Sequence, residues 1–299
     1  MPKTSLALGV LLKAHDMKTS LQIIKEAGFD GIDFPVWHFC LGEDAPLMRD
    51  NWHEVIEETA ALIRENGLIV TQAHALWQNF TSLNEDFSFD LPGEIFLRNI
   101  EACRMLGADK LVFHPVQHFY PITDPDVYSK VRAANTAWFG HLLPAAEKFN
   151  VQLLLENIFD YQHIQSPDAP PIPFCRAEDI LHVIETLDHP LIGACLDTGH
   201  ANIAAQDIAA MIRLYGKHLK ALHLQDNFGK IGPIYEDIHM IPGNGRVPWA
   251  QIFAALKETG FDGALNMELN AEIPKQPRPI QLLRLKAARE LILLMSEIY

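Results

Sequence analysis

IGACLDTGH, residues 192–200, begins as an apolar run and ends on an aspartate followed, three residues later, by a histidine. The run lacks apolar–polar alternation, which is the pattern of a parallel strand covered on both faces. A buried strand that finishes on Asp197 and His200 has something at its tip that uses them. Similar short runs recur along the chain. They are SLALGVLL (5–12), GIDFP (31–35), LIVTQAHA (68–75), KLVFHP (110–115), VQLLLEN (151–157), LKALHLQD (219–226) and GALNMEL (263–269). Amphipathic segments such as TSLQIIKEAGF, WHEVIEETAALIRENG and EIFLRNIEACRMLGA lie between them, with apolar residues at the three-to-four spacing of one helix face. Gly28, Gly67, Gly107 and Gly260 stand where left-handed helix caps are expected. Eight strands, each followed by a helix, predict an α/β fold, a (β/α)8 TIM barrel. The junctions GFDGIDF (28–34) and GFDGALN (260–266) repeat one helix-to-strand turn, as repeated βα units would. A doubly wound open sheet usually carries a Gly-rich phosphate loop after its first strand, and LLKAHDM at that position has none.

The chain has 299 residues, 48% of them hydrophobic, enough for one large core, and no low-complexity linker divides it. A single domain over 1–299 is expected. No apolar run approaches the ~18 residues of a membrane span. The N-terminal stretch lacks a cleavage pattern and reads as a first strand, so a cytoplasmic protein is expected. Cys40, Cys103, Cys175 and Cys195 show no CxxC spacing, which argues against a disulfide framework and a thiolate zinc site. A net charge of −14 without a basic cluster argues against a nucleic-acid partner.

The strand tips carry the chemistry. His74, His114, Glu156, Asp197 with His200, His223 and Glu268 end six successive strands, and Asp237 and His239 sit in the loop after the seventh. Carboxylates converging without a cation repel and raise one another's pKa values. A divalent metal resolves this, because carboxylate oxygen and neutral imidazole nitrogen are its ligands. Asp226 is a candidate partner of a ligand histidine or of a backbone group. Three long loops, 35–51, 158–177 and 227–248, follow strands and would lie at the catalytic face of a barrel.

LLLENI, CLDTGHAN, LHLQDN, DIHMIPGNGRVPW and NMEL, with QAHAL and LVFHP, resemble the xylose isomerase-like TIM-barrel superfamily of sugar phosphate isomerases and epimerases, which includes endonuclease IV. The resemblance runs in order from about residue 70 to 270. It implies one divalent ion (Mn2+, Co2+, Mg2+ or Zn2+) held by Glu156, Asp197, His223 and Glu268, with Glu156 and Glu268 also the catalytic acid–base pair. The implied reaction is isomerisation or epimerisation of a small sugar, sugar phosphate or polyol through an enediolate. One glutamate removes the proton beside a carbonyl, and the other can return one on the opposite face. His74, His114, His200, Asp237 and His239 fall where endonuclease IV has further ligands, and are candidates for additional metal or substrate contacts. The alternatives are an inosose-type dehydratase, an abasic-site nuclease and a non-catalytic metal-dependent sugar-binding module.

Aromatic residues near the ligand positions, Trp37, Trp77, Phe80, Phe119, Tyr120, Phe159 and Tyr161, can stack on the C–H face of a sugar. Trp77 is the candidate kept for substrate contact, together with Arg246; Lys230 is a second loop cation. Trp249 reads as packing. No phosphate cradle is evident, which favours an unphosphorylated substrate. The expected partner is that small molecule, with no nucleic acid and no membrane; the sequence is compatible with a homo-oligomer.

Overall fold

Apolar runs covered on both faces become eight parallel strands in the computed structural model, which describes residues 2–42, 45–77, 93–117, 125–159, 173–229, 236–271 and 273–299. The strands are β1 (Thr4–Ala7), β2 (Gly31–Pro35), β3 (Ile69–His74), β4 (Lys110–Phe113), β5 (Gln152–Glu156), β6 (Ile192–Asp197), β7 (Leu219–His223) and β8 (Leu265–Met267). Each pairs with its neighbour in chain order, and β1 pairs with β8. A parallel bridge between Leu224 and Met267 joins the β7 and β8 ends and brings the ring nearly to closure. The expected barrel is therefore the observed one.

The helices form because their apolar residues fall on one face. In Trp52–Glu65 the buried positions are Trp52, Ile56, Thr59, Ala60 and Ile63, one stripe facing the sheet. Asp16 caps Met17–Glu26 by accepting from the Thr19 N–H at 2.7 Å. The four glycines read as helix stops all take positive φ. The first strand is shorter than expected. SLALGVLL (5–12) predicts one continuous strand, but β1 ends at Ala7 and Gly9–Leu12 is a helical turn burying Val10 and Leu11. An unbroken apolar run of that length does not distinguish a buried strand from a buried helix.

Between strands and helices lies the main core, which includes Leu6, Phe34, Phe113, Leu155, Leu196 and Leu222. Inside the ring the lining divides in two. Val112, Leu154, Cys195 and Ala221, from β4 to β7, form a separate apolar cluster. On the other side, Ser5, Asp33, Gln72 and Asn266, from β1, β2, β3 and β8, are buried and hydrogen-bonded to one another. The strand-tip donors sit above both halves.

Candidate metal centre and active site

Register and strand length place the donors. β3, β5, β6 and β7 end on His74, Glu156, Asp197 and His223, and Asp197 pairs in register with His223. His114 follows the last residue of β4. Glu268 follows β8, with its N–H bonded to the Leu224 carbonyl at 3.2 Å. The Asp-x-x-His step of the opening stretch is a helix start. Asp197 accepts from the His200 N–H at 2.7 Å and caps the helix Thr198–Ile203, which turns His200 back over the strand tips. Asp237 and His239 come from the loop after β7. His239 adopts a left-handed conformation, φ 55°, uncommon outside glycine and held here by the adjacent bridge between Asp226 and Met240.

The centre of the constellation is Glu156. Its Oε2 lies 3.2 Å from His74 Nε2 and 3.3 Å from His114 Nε2. Its Oε1 lies 3.0 Å from His223 Nδ1 and 3.4 Å from His200 Nδ1. Glu268 approaches from the other side, 3.9 Å from His223 Nδ1 and 3.3 Å from His239 Nδ1. Asp237 Oδ2 lies 2.8 Å from His239 Nε2 and 3.5 Å from His200 Nε2. Donor atoms within 4.8 Å of one another fall into four sets: His74, His114 and Glu156; Glu156, Asp197 and His200; His200, Asp237 and His239; and Asp33, His223 and Glu268. Every candidate ligand is thus brought to one end of the barrel.

The electrostatics follow from this crowding. Burial alone would raise the Glu156 carboxyl, but His223 and His114 offset it and hold the group well below the ordinary carboxylate range. Glu268, likewise buried, is held at about 2 by His223 and His239. Burial raises Asp197 to about 6 despite His200 beside it. Burial would depress His200, yet Asp197 and Asp237 push it up to about 10. His239 is raised by Asp237 against the same burial penalty. His114 is lowered, because burial prevails over Glu156 there. In this arrangement protons on imidazoles balance the carboxylates. Divalent cations bind such oxygen and nitrogen donors by displacing those protons, so the donor set fits a metal.

Several surrounding residues hold the donors in place. His74 Nδ1 lies 3.0 Å from the Ala75 carbonyl and His200 Nδ1 2.9 Å from the Asn157 carbonyl. Asn157 also brackets Asp197, donating to its carbonyl and accepting from its N–H. Gln225 was not foreseen. Its Nε2 donates to Asp237 at 2.9 Å and to both Asp197 oxygens at 3.3 and 3.4 Å, bridging two donor sets. Asp33 was missed as well: it lies buried beneath the ring, bonded to His223 Nε2 at 3.0 Å. The available signal was a charge inside the apolar strand GIDFP. Asp226 serves the loop rather than a ligand histidine. It accepts from the N–H groups of Asn227, Gly243 and Val247 and from the Trp249 indole at 2.8–3.0 Å. Trp249 is buried packing, as expected.

On the substrate side, Trp77 stands 5.5 Å from the His114 ring and 6.1 Å from Trp37, so these residues form one wall beside the donors. Phe159 lies 5.2 Å from the His200 ring. Arg246 is exposed, and its guanidinium meets none of the donors among the described residues. Phe80, Phe119, Tyr120, Tyr161 and Lys230 lie outside the described residues.

The chain is 33% identical over 224 residues to the D-psicose 3-epimerase of Ruminiclostridium cellulolyticum, covering 71% of this chain and 67% of that protein. It is 25% identical over 157 residues to the fructoselysine 3-epimerase of Escherichia coli O157:H7, covering 52% and 51%. The chain spans about half the length of several relatives it matches. Among solved structures, the IolI protein with a bound zinc atom superposes with a TM-score of 0.75 at 18% identity, covering 99% of each chain. The family model described as xylose isomerase-like TIM barrel matches residues 21–291. By this match and by its architecture, the chain belongs to the xylose isomerase-like TIM-barrel family.

Proposed function

We propose that the protein is a divalent-metal-dependent isomerase or epimerase of a small sugar or polyol, acting by proton transfer beside a carbonyl. The observation that carries this reading is the approach of Glu156 and Glu268 to the same nitrogen, His223 Nδ1, at 3.0 and 3.9 Å. Two carboxylates converge on one ligand position, and Asp197 stands in the adjoining donor set. Glu156, Asp197, His223 and Glu268 would hold the ion, Mn2+, Co2+, Mg2+ or Zn2+. When bound, it would supply Lewis-acid stabilisation of the charge left by a departing proton.

The protein groups carry the proton work. One of the two glutamates accepts the proton from the carbon next to the carbonyl, and the other delivers one to the opposite face. The imidazoles beside them hold both carboxyls low, so the accepting glutamate starts as a carboxylate. The delivering one must first carry a proton, taken from solvent or left by the previous turnover. Trp77 and Trp37 supply an apolar surface for the C–H face of a ring or chain. The psicose and fructoselysine epimerases among the relatives support a ketose-like substrate. No described helix is long and apolar enough to cross a membrane.

The test is solvent exchange. The protein is incubated with Mn2+ and a panel of ketoses, aldoses and inososes in D2O, and C–H signals are followed by NMR. Deuterium entering the carbon beside the carbonyl is the expected result, and product analysis separates epimerisation from inosose-type dehydration. Absence of exchange across the panel would overturn the reading. A protein that binds ions and sugars without exchange would be the non-catalytic module. One observation favours a second reading. His74 and His114 complete a compact donor set around Glu156, and His200, Asp237 and His239 form another outside the four ligands named. That abundance suits a multi-metal abasic-site nuclease, which cleavage of abasic DNA by the same preparation would reveal.

A further inference from the structure

The polar half of the barrel interior converges on one atom. Asp33 Oδ2 accepts from Gln72 Nε2 at 2.9 Å, from Asn266 Nδ2 at 3.2 Å and from His223 Nε2 at 3.0 Å. Asn266 is in turn fixed by Ser5, whose hydroxyl donates to its Oδ1 at 2.9 Å, and Gln72 Nε2 also reaches the Leu222 carbonyl at 3.3 Å. A shift in register between β2 and β3 sets Asp33 directly opposite Gln72. Asp33 is 2% exposed and, among the described residues, its Oδ1 has no hydrogen-bond partner. Burying a carboxylate inside a barrel is unfavourable unless its interactions compensate. In the opposite half of the same interior Val112, Leu154, Cys195 and Ala221 pack as an apolar cluster, so packing alone does not call for a carboxylate in the lining.

The histidines above differ in what holds their outer nitrogen. His74 and His200 rest on the backbone carbonyls of Ala75 and Asn157. His223 rests on a carboxylate. A carboxylate behind an imidazole fixes which nitrogen carries the proton, orients the ring and makes the free nitrogen a stronger donor. With Nε2–H committed to Asp33, Nδ1 of His223 faces Glu156 and Glu268 at 3.0 and 3.9 Å, and an ion held there would displace the Nδ1 proton.

We propose that Asp33 is a positioning residue that locks His223 in its Nε2–H form and leaves Nδ1 as the nitrogen that would hold the ion with Glu156 and Glu268. The proposal rests on the reading of His223 as an ion ligand. Asp33 touches neither ion nor substrate, and acts through the ring.

Two substitutions test it. Asp33→Leu removes the acceptor at similar volume, and Asp33→Asn keeps an acceptor while removing the charge. Zn2+ affinity is measured by competition with a chromogenic chelator, and the His223 Nε2–H is observed by 1H–15N correlation in histidine-labelled, Zn2+-loaded protein. Asp33→Leu is expected to bind Zn2+ about 10–100-fold more weakly and to lose the slowly exchanging Nε2–H signal. Asp33→Asn should lose less affinity and move that signal upfield. A folded Asp33→Leu protein with unchanged affinity and an intact signal overturns the proposal, and so does a variant whose unfolding temperature falls while its Zn2+ affinity stays. If Asp33→Leu does not fold, Asp33→Asn decides, and an unmoved Nε2–H signal overturns the idea. Failure of the wild type to bind Zn2+ would instead sink the functional reading. The Nε2–H comparison in metal-free protein then judges Asp33 on its own.

Discussion

Glu156 has imidazoles of His74, His114, His200 and His223 within 3.4 Å of its carboxylate, so the side chain proposed for the proton transfer is also the one the rings balance. Glu156→Gln keeps the volume and removes the negative charge. Turnover is expected to fall by about 10³-fold or more, in the range typical of losing a general base, with the circular dichroism spectrum retained. Near-normal turnover would remove Glu156 from the mechanism. Glu156 was legible because a carboxylate closing LLLEN has few explanations other than function. Asp33 was less so: nothing within GIDFP reveals a histidine 190 positions away as its partner.

At the scale of elements, the loop after β7 is organised by Asp226 more than by its own backbone. Four N–H groups close on that buried carboxylate, and the Asp226–Met240 bridge carries the segment that presents Asp237 and His239. Gly245 lies so close to Asp226 and Asn227 that a Cβ would overlap them, which accounts for the second glycine of PGNG. Asp226→Ala strands several buried donors, each worth roughly 1–3 kcal/mol. Chemical denaturation should show a loss of at least about 3 kcal/mol together with weakened ion binding. The helix after β6 depends on a similar close approach, since a Cβ at Gly199 would overlap the Gln225 carboxamide. Gly199→Ala is expected to cost about 1–3 kcal/mol through overpacking. It should also displace Gln225 from its bridge between Asp197 and Asp237, readable as a changed ion-binding isotherm. The motif DTGH was legible as polar residues at a strand tip. That its aspartate caps a helix and its glycine clears a glutamine was not, because both partners come from tertiary contact.

For the whole molecule, the buried charge cluster sets how stability varies with pH. His200, raised from 6.5 to about 10, contributes stability in full below its unfolded value, and that contribution is lost as pH rises towards 10. Asp197, raised from 3.8 to about 6, withdraws stability as it ionises across that interval. Glu268, lowered from 4.5 to about 2, contributes above 4.5 and loses that contribution as pH falls. Metal-free protein should therefore unfold at a higher temperature near pH 5–6 than near pH 9. An ion held by the cluster would replace the protons as the partner of the carboxylates, so adding Mn2+ or Zn2+ should raise the unfolding temperature most on the alkaline side. Thermal scans across pH with chelator and with ion check this. Parallel curves would show that the cluster does not hold the ion.

The sequence by itself determined the class of the fold, the order of its units and the identity of the strand-tip donors. These are local properties: apolar runs, helix periodicity and a polar residue where an apolar run ends. Tertiary structure decided where β1 stops, since an apolar run is compatible with strand or helix until its neighbours are placed. It decided that Glu156 is the hub, because four histidines from different units meet there only once the barrel closes. It also divided the barrel interior into an apolar and a polar half and set Asp33 beneath His223. That arrangement depends on strand register and closure, which join residues far apart in the chain; the local sequence shows a charge within GIDFP but not its partner.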